Sequence, residues 1–204
     1  MGESRVGMGA SLYGSLLSKY PEGFPQGTLI GWQGPIYDPV SGIIRIVTES
    51  PWTHVSVCDG MDRIVECTRP GLGEPGPNGV QYAVLSKRLA TAERGTSAAA
   101  FFSRLPLPKP AAARAFADDC IRMGVKYSID TLLKFLVGVP QDPTDDRVCS
   151  SFAARYLVAG GYMPDSLVYP EVMPGMLLKL VVPLCSSIVP ILGNPNVKGM
   201  ACAA

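Results

Sequence analysis

One stretch constrains this chain more than any other: Asp146-Arg147-Val148-Cys149-Ser150-Ser151-Phe152-Ala153-Ala154-Arg155-Tyr156-Leu157. A loop rich in proline and aspartate, Pro140 to Asp146, runs into it, and Phe152, Ala153, Tyr156 and Leu157 then recur at helical spacing. The pattern predicts a helix from Cys149 to Ala159, closed by Gly160-Gly161. Cys149 falls in its first turn, where unpaired N–H groups and the positive end of the helix dipole favour a thiolate over a thiol. A cysteine so placed is a candidate nucleophile, and the same N–H groups are candidate oxyanion donors. The competing reading is a small buried cysteine that only packs.

The chain has 204 residues, 47% of them hydrophobic and 17% charged, which fits one domain with a sizeable core and argues against disorder. A net charge of +1 with no basic run gives nucleic acid no electrostatic footing. The six cysteines form no CxxC pair, and one histidine cannot complete an ordinary zinc site, so neither metal nor cofactor is expected. The opening MGESRVGMGA has no basic region followed by an apolar run. No signal peptide is therefore expected, and the thiols fit a reducing setting, cytoplasmic or virion-associated.

Along the chain, residues 1–26 read as a polar, glycine-rich arm that packs on the domain or on a neighbour. Strands are predicted at Gly27–Trp32, Trp52–Cys58, Arg63–Thr68, Val80–Val84 and Ala98–Phe102, the second and third forming a hairpin across Asp59-Gly60-Met61-Asp62. Gly42–Val47 suits a strand or a short helix equally. Helices are predicted over Lys109–Met123 and Ser128–Val137. The strongly apolar Met176–Leu192 also reads as helical, short of the roughly 20 apolar residues a membrane span needs. It is a candidate surface for membrane or protein contact, with a buried helix as the alternative. The domain is expected over 27–175, with 176–204 as an apolar tail.

His54 is the only side chain here whose ordinary pKa suits proton transfer near neutrality. Glu66, flanked by apolar residues, is a candidate partner that fixes the imidazole's tautomer. The alternatives are a structural histidine and a solvent-facing glutamate. Register decides between them. A four-residue loop, 59–62, sets Glu66 opposite Val55, on the wrong face for His54. A five-residue loop, 59–63, pairs Ser56 with Glu66 and puts His54 on the same face. Tyr127, just ahead of the 128–137 segment, is a candidate oxyanion donor or a core-edge tyrosine.

Taken together these pieces resemble the permuted branch of the NlpC-type, papain-like cysteine hydrolases, a group with YiiX-like, poxviral and lecithin–retinol acyltransferase-like members. Gly27-Thr28-Leu29-Ile30 resembles its opening G-D-L-I strand, with Thr28 for Asp. Ser50-Pro51-Trp52-Thr53-His54-Val55 resembles the segment bearing the histidine, and Ile64-Val65-Glu66-Cys67 the strand bearing the acidic third residue. Lys126-Tyr127-Ser128 resembles the tyrosine before the last helices. Val148-Cys149-Ser150-Ser151 resembles C-S-E-L at the nucleophile, with Ser151 for Glu and Phe152 for Leu.

The resemblance implies an α+β, permuted papain-like fold: a small antiparallel sheet or open barrel packed on the helix that carries the nucleophilic cysteine. It implies catalysis by Cys149, His54 and Glu66, with Tyr127 and Ser150 at the oxyanion and substrate subsite. The substrate is then a peptide, a cell-wall peptide or an acyl compound. The expected reaction is amide cleavage through an acyl-enzyme. Lipid acyl hydrolysis or transfer is one alternative, and a virion-associated binding protein that keeps the fold is another.

Overall fold

The computed structural model describes Gly14, Ser18, Tyr20 and residues 23–35, 38–69, 78–128, 148–167 and 172–202, with Val47 described by its backbone alone. Most of the arm and nearly all of the helix expected over 128–137 lie outside the described residues.

The fold is α+β. Six strands form one antiparallel sheet: β1 (Leu29–Gln33), β2 (His54–Cys58), β3 (Arg63–Thr68), β4 (Gly79–Val84), β5 (Ser97–Ser103) and β6 (Cys185–Leu192), in the order β4-β3-β2-β1-β5-β6. The α-helices with described bounds are α1 (Pro39–Thr48), α2 (Leu85–Ala90), α3 (Pro110–Arg122), α4 (Cys149–Ala159) and α5 (Pro174–Val181).

Strand alternation sends residues to two packed faces. Leu29, Val55, Val57, Val65 and Phe101 join the larger core cluster with Phe152, Tyr156, Leu177 and Leu178 of α4 and α5. Ile30, Trp32, Cys58, Ile64 and Phe102 join the smaller one, with Leu85 and Leu89 of α2 and with Phe24. Tyr20 stacks on Phe102 at 4.8 Å, and Phe24 meets the same ring edge-on at 5.1 Å. The end of the arm thus packs on the domain. Gly31 is required where α5 crosses β1, because a Cβ there would lie 2.8 Å from both Leu178 Cδ1 and Trp52 Cε3.

The β2–β3 turn takes the five-residue form. Val57 faces Val65 and Cys58 faces Ile64, a register that carries Ser56 opposite Glu66. Asp59 N–H donates to Arg63 C=O at 2.9 Å, and the loop closes through left-handed Gly60 (φ 95°) and Met61 (φ 51°). The residues 42–47, ambiguous by periodicity, are helical. Asp38 caps α1 by accepting from the Ser41 N–H at 2.9 Å, and Pro39 occupies the first turn.

The segment 176–192 departs from expectation. It is helical only through Val181, passes through a 3₁₀ turn at Val182–Leu184, and becomes β6. Pro183 cannot donate a backbone hydrogen bond, which stops α5. Pro190 is tolerated because β6 is an edge strand, paired among the described residues only with β5 and irregular beside Ala98 and Ala99. The tail boundary at 176 therefore falls inside α5, and Leu177, Leu178, Val181 and Cys185 join the larger core cluster and Ile191 the smaller. No helix among the described residues is long and apolar enough to cross a membrane.

Candidate active site

α4 begins at Cys149, as its sequence pattern predicts. The first intrahelical bond runs from Phe152 N–H to Val148 C=O at 3.1 Å. The N–H groups of Cys149, Ser150 and Ser151 therefore have no helical carbonyl to donate to, and they give the helix mouth its positive potential. Ser151 closes the turn from outside: its hydroxyl donates to Val148 C=O at 3.0 Å. That role suits a short hydroxyl side chain at the third helical position.

His54 opens β2, 7% exposed, and Glu66 lies on β3, 1% exposed. The five-residue turn puts them on one face, and His54 Nε2 meets Glu66 Oε2 at 2.7 Å. Nδ1 is the ring nitrogen left for Cys149. Burial opposes protonation of His54. The charge and hydrogen-bonding sulfur of Cys149, then the hydrogen bond and charge of Glu66, outweigh it and raise the pKa to about 9. Burial likewise opposes ionisation of Glu66, but His54 and the Arg88 charge prevail and hold the carboxyl below its usual value.

Arg88 was not anticipated from the sequence. It sits on α2, with Nε 3.2 Å from Glu66 Oε1 and its guanidinium 5.5 Å from the Trp32 ring centre. Its side chain is 8% exposed, so Glu66 holds a buried cation on each oxygen. The signal was present in Leu85-Ser86-Lys87-Arg88-Leu89, where two leucines at i, i+4 mark one helical turn.

Tyr127 is buried at 6% exposure. Burial, then the charges at Cys149 and Cys67, push its phenol up, which keeps it a neutral O–H donor near the sulfur. Ser150, the other residue expected at the subsite, directly follows Cys149. It is fully buried, its Oγ has no hydrogen-bond partner among the described residues, and it is not on the cleft wall. One residue along a helix turns a side chain by about 100°, so Ser150 and Cys149 face different surroundings.

A cleft open to solvent is walled by Trp32, Pro35, Val40 and Ile44, by His54 and Tyr127, and by Glu93 and Thr96. Cys149, 3% exposed, is not part of the wall. The cleft meets the sulfur's surroundings through His54 and Tyr127, the two wall residues whose titration responds to Cys149. The geometry thus joins a cysteine at a helix mouth, an imidazole, a carboxylate and a buried phenol. No family model matches the sequence, and no curated protein does.

Proposed function

We propose that this protein is a cysteine hydrolase with a permuted papain-like fold, cleaving an amide bond through Cys149, His54 and Glu66. The observation that carries the reading is the 2.7 Å contact of His54 Nε2 with Glu66, with Cys149 raising the same imidazole's pKa. His54 takes the Cys149 proton, and the thiolate attacks the carbonyl carbon. The Cys149 N–H and the Tyr127 hydroxyl stabilise the oxyanion. His54 then protonates the leaving nitrogen, and water releases the acyl group from the sulfur. Glu66 holds the ring in its working tautomer.

A second reading, hydrolysis of acyl esters, is favoured by the apolar cleft wall. The thiol's small exposure makes its reactivity the direct test. Cys58, Cys67, Cys120 and Cys185 are buried, and Cys202 is half-buried, so the experiment uses a Cys202→Ser background. A fluorescent iodoacetamide should label that protein, lose the label in Cys149→Ala and label His54→Ala much more slowly. A Cys149 that stays unlabelled in the folded protein would sink the enzyme reading. Peptides, cell-wall peptide fragments and acyl lipids then separate the substrate classes.

A further inference from the structure

We infer that the cleft beside His54 receives an uncharged, apolar group on the leaving-group side of the scissile bond, an inference that rests on the hydrolase reading. Two independent observations lead there.

The first is what the wall offers. Its apolar part is Trp32, Pro35, Val40 and Ile44. Four of its polar side chains are engaged with the protein, while the solvent-exposed Glu93 and the partly buried Thr96 also line it. Ser41 Oγ donates to Asp38 at 2.6 Å. Thr53 Oγ1 accepts from Gly34 N–H at 2.8 Å and donates to Trp32 C=O at 3.4 Å. Asp38 pairs with Arg69 at 3.3 Å, and Arg88 with Glu66 at 3.2 Å. A polar ligand group entering here loses water and finds few free partners, whereas an apolar one gains by leaving water.

The second is which catalytic side chain borders the space. In acylation the Sγ–C bond forms, the C–N or C–O bond breaks, and the leaving atom takes its proton from His54. Water later hydrolyses the thioester. The sulfur that keeps the acyl part is not in the wall, whereas His54, past which the leaving part departs, is; Tyr127, also in the wall, marks the oxyanion between them. An apolar amine portion, as in a peptide with a hydrophobic residue after the cleaved bond, and a lipid alcohol share this chemistry.

The test uses the full chain and two substrate series with one acyl group: N-acetylglycine n-alkylamides and n-alkyl esters bearing methyl, butyl and hexyl groups. kcat/KM should rise about fourfold per added methylene until the cleft fills, and the stronger arm tells amide from ester as the source. Val40→Phe, checked for folding by thermal unfolding, should flatten the hexyl-to-methyl ratio. A readout without turnover accompanies it: N-hexylacetamide should slow iodoacetamide alkylation of Cys149, and N-methylacetamide should not. A flat series with no such protection overturns the inference. So does an equal gain when the acyl group is lengthened at a fixed methyl leaving group. Turnover that survives in Cys149→Ala overturns the hydrolase reading instead.

Discussion

The Tyr156 hydroxyl donates to the Asp59 carboxylate at 2.7 Å, and this bond ties the far end of α4 to the far end of β2. The near ends of those elements carry Cys149 and His54. Gln26 Nε2 donates to both groups, at 2.7 Å to Tyr156 and 2.9 Å to Asp59, and Arg114 Nε approaches the same carboxylate at 3.2 Å. The helix and the strand that bring the catalytic pair together are thus fixed by a polar node at the opposite end. Tyr156→Phe removes one hydrogen bond to a buried charge, worth about 2 kcal/mol. Urea denaturation should show that loss. Cys149 alkylation should slow severalfold as the helix loses its register on β2. An unchanged midpoint would remove the node from the fold's support.

The raised pKa of His54 sets a pH window. The imidazolium persists to about 9, so kcat/KM should fall above that pH, where the ring can no longer protonate a leaving group. Stability follows the same sign. A folded-state pKa above the ordinary 6.5 adds stability that is fully present below 6.5 and disappears as pH rises through about 9. Because the chain has one histidine, its imidazole NMR signals give the titration without assignment. A midpoint near 6.5 contradicts the ion-pair geometry.

Replacing Glu66 by Gln removes the negative charge that His54 and Arg88 share. The imidazolium then loses support, so the His54 midpoint should move down from about 9, and the alkaline limb of the rate profile should move with it. Loss of the Glu66 charge beside Arg88, 8% exposed, should destabilise the fold by about 3 kcal/mol. Adding Arg88→Met to Glu66→Gln should recover part of that stability without restoring the histidine pKa. Denaturation and NMR on the same samples separate the two effects.

Five of the six described strands were legible, because each is a short run rich in apolar residues, with a glycine, proline, aspartate or serine on at least one side. α4 was legible to the residue, since its closing Gly160-Gly161 and its period agree. The hairpin loop length was not fixed by sequence, because 59–62 and 59–63 share one turn signal; the left-handed Gly60 and Met61 select the longer form. β6 was hidden because the apolar residues on both sides of Pro190 read alike as helix or buried strand. Arg88 was hidden for another reason. Its function depends on a partner 22 positions away, at Glu66, and no local pattern encodes that pairing.

The reassignment of 185–192 has a direct consequence. β6 pairs with β5 from Ala98 to Ser103, and Ile191 is fully buried in the smaller core cluster. A chain ending at Leu184 should lose cooperative unfolding and expose the β5 edge, a row of unpaired backbone groups that invites aggregation. A dispensable tail would leave a soluble, cooperatively folding protein. Circular dichroism melts and size-exclusion chromatography distinguish the outcomes.

Ser150 separates a substrate-binding role from a structural cost. Its hydroxyl is fully buried, without a hydrogen-bond partner among the described residues, and a buried unsatisfied hydroxyl costs about 1–3 kcal/mol. Ser150→Ala removes that cost and adds helix propensity one residue past the nucleophile. The variant should therefore be more stable, by about 1 kcal/mol, while Cys149 alkylation and its pH profile stay as in the parent. A Ser150 that contacted substrate would behave otherwise: stability would change little, and KM would rise. Paired denaturation and kinetic measurements on this one substitution decide whether the residue after the nucleophile contributes only its backbone N–H to the helix mouth.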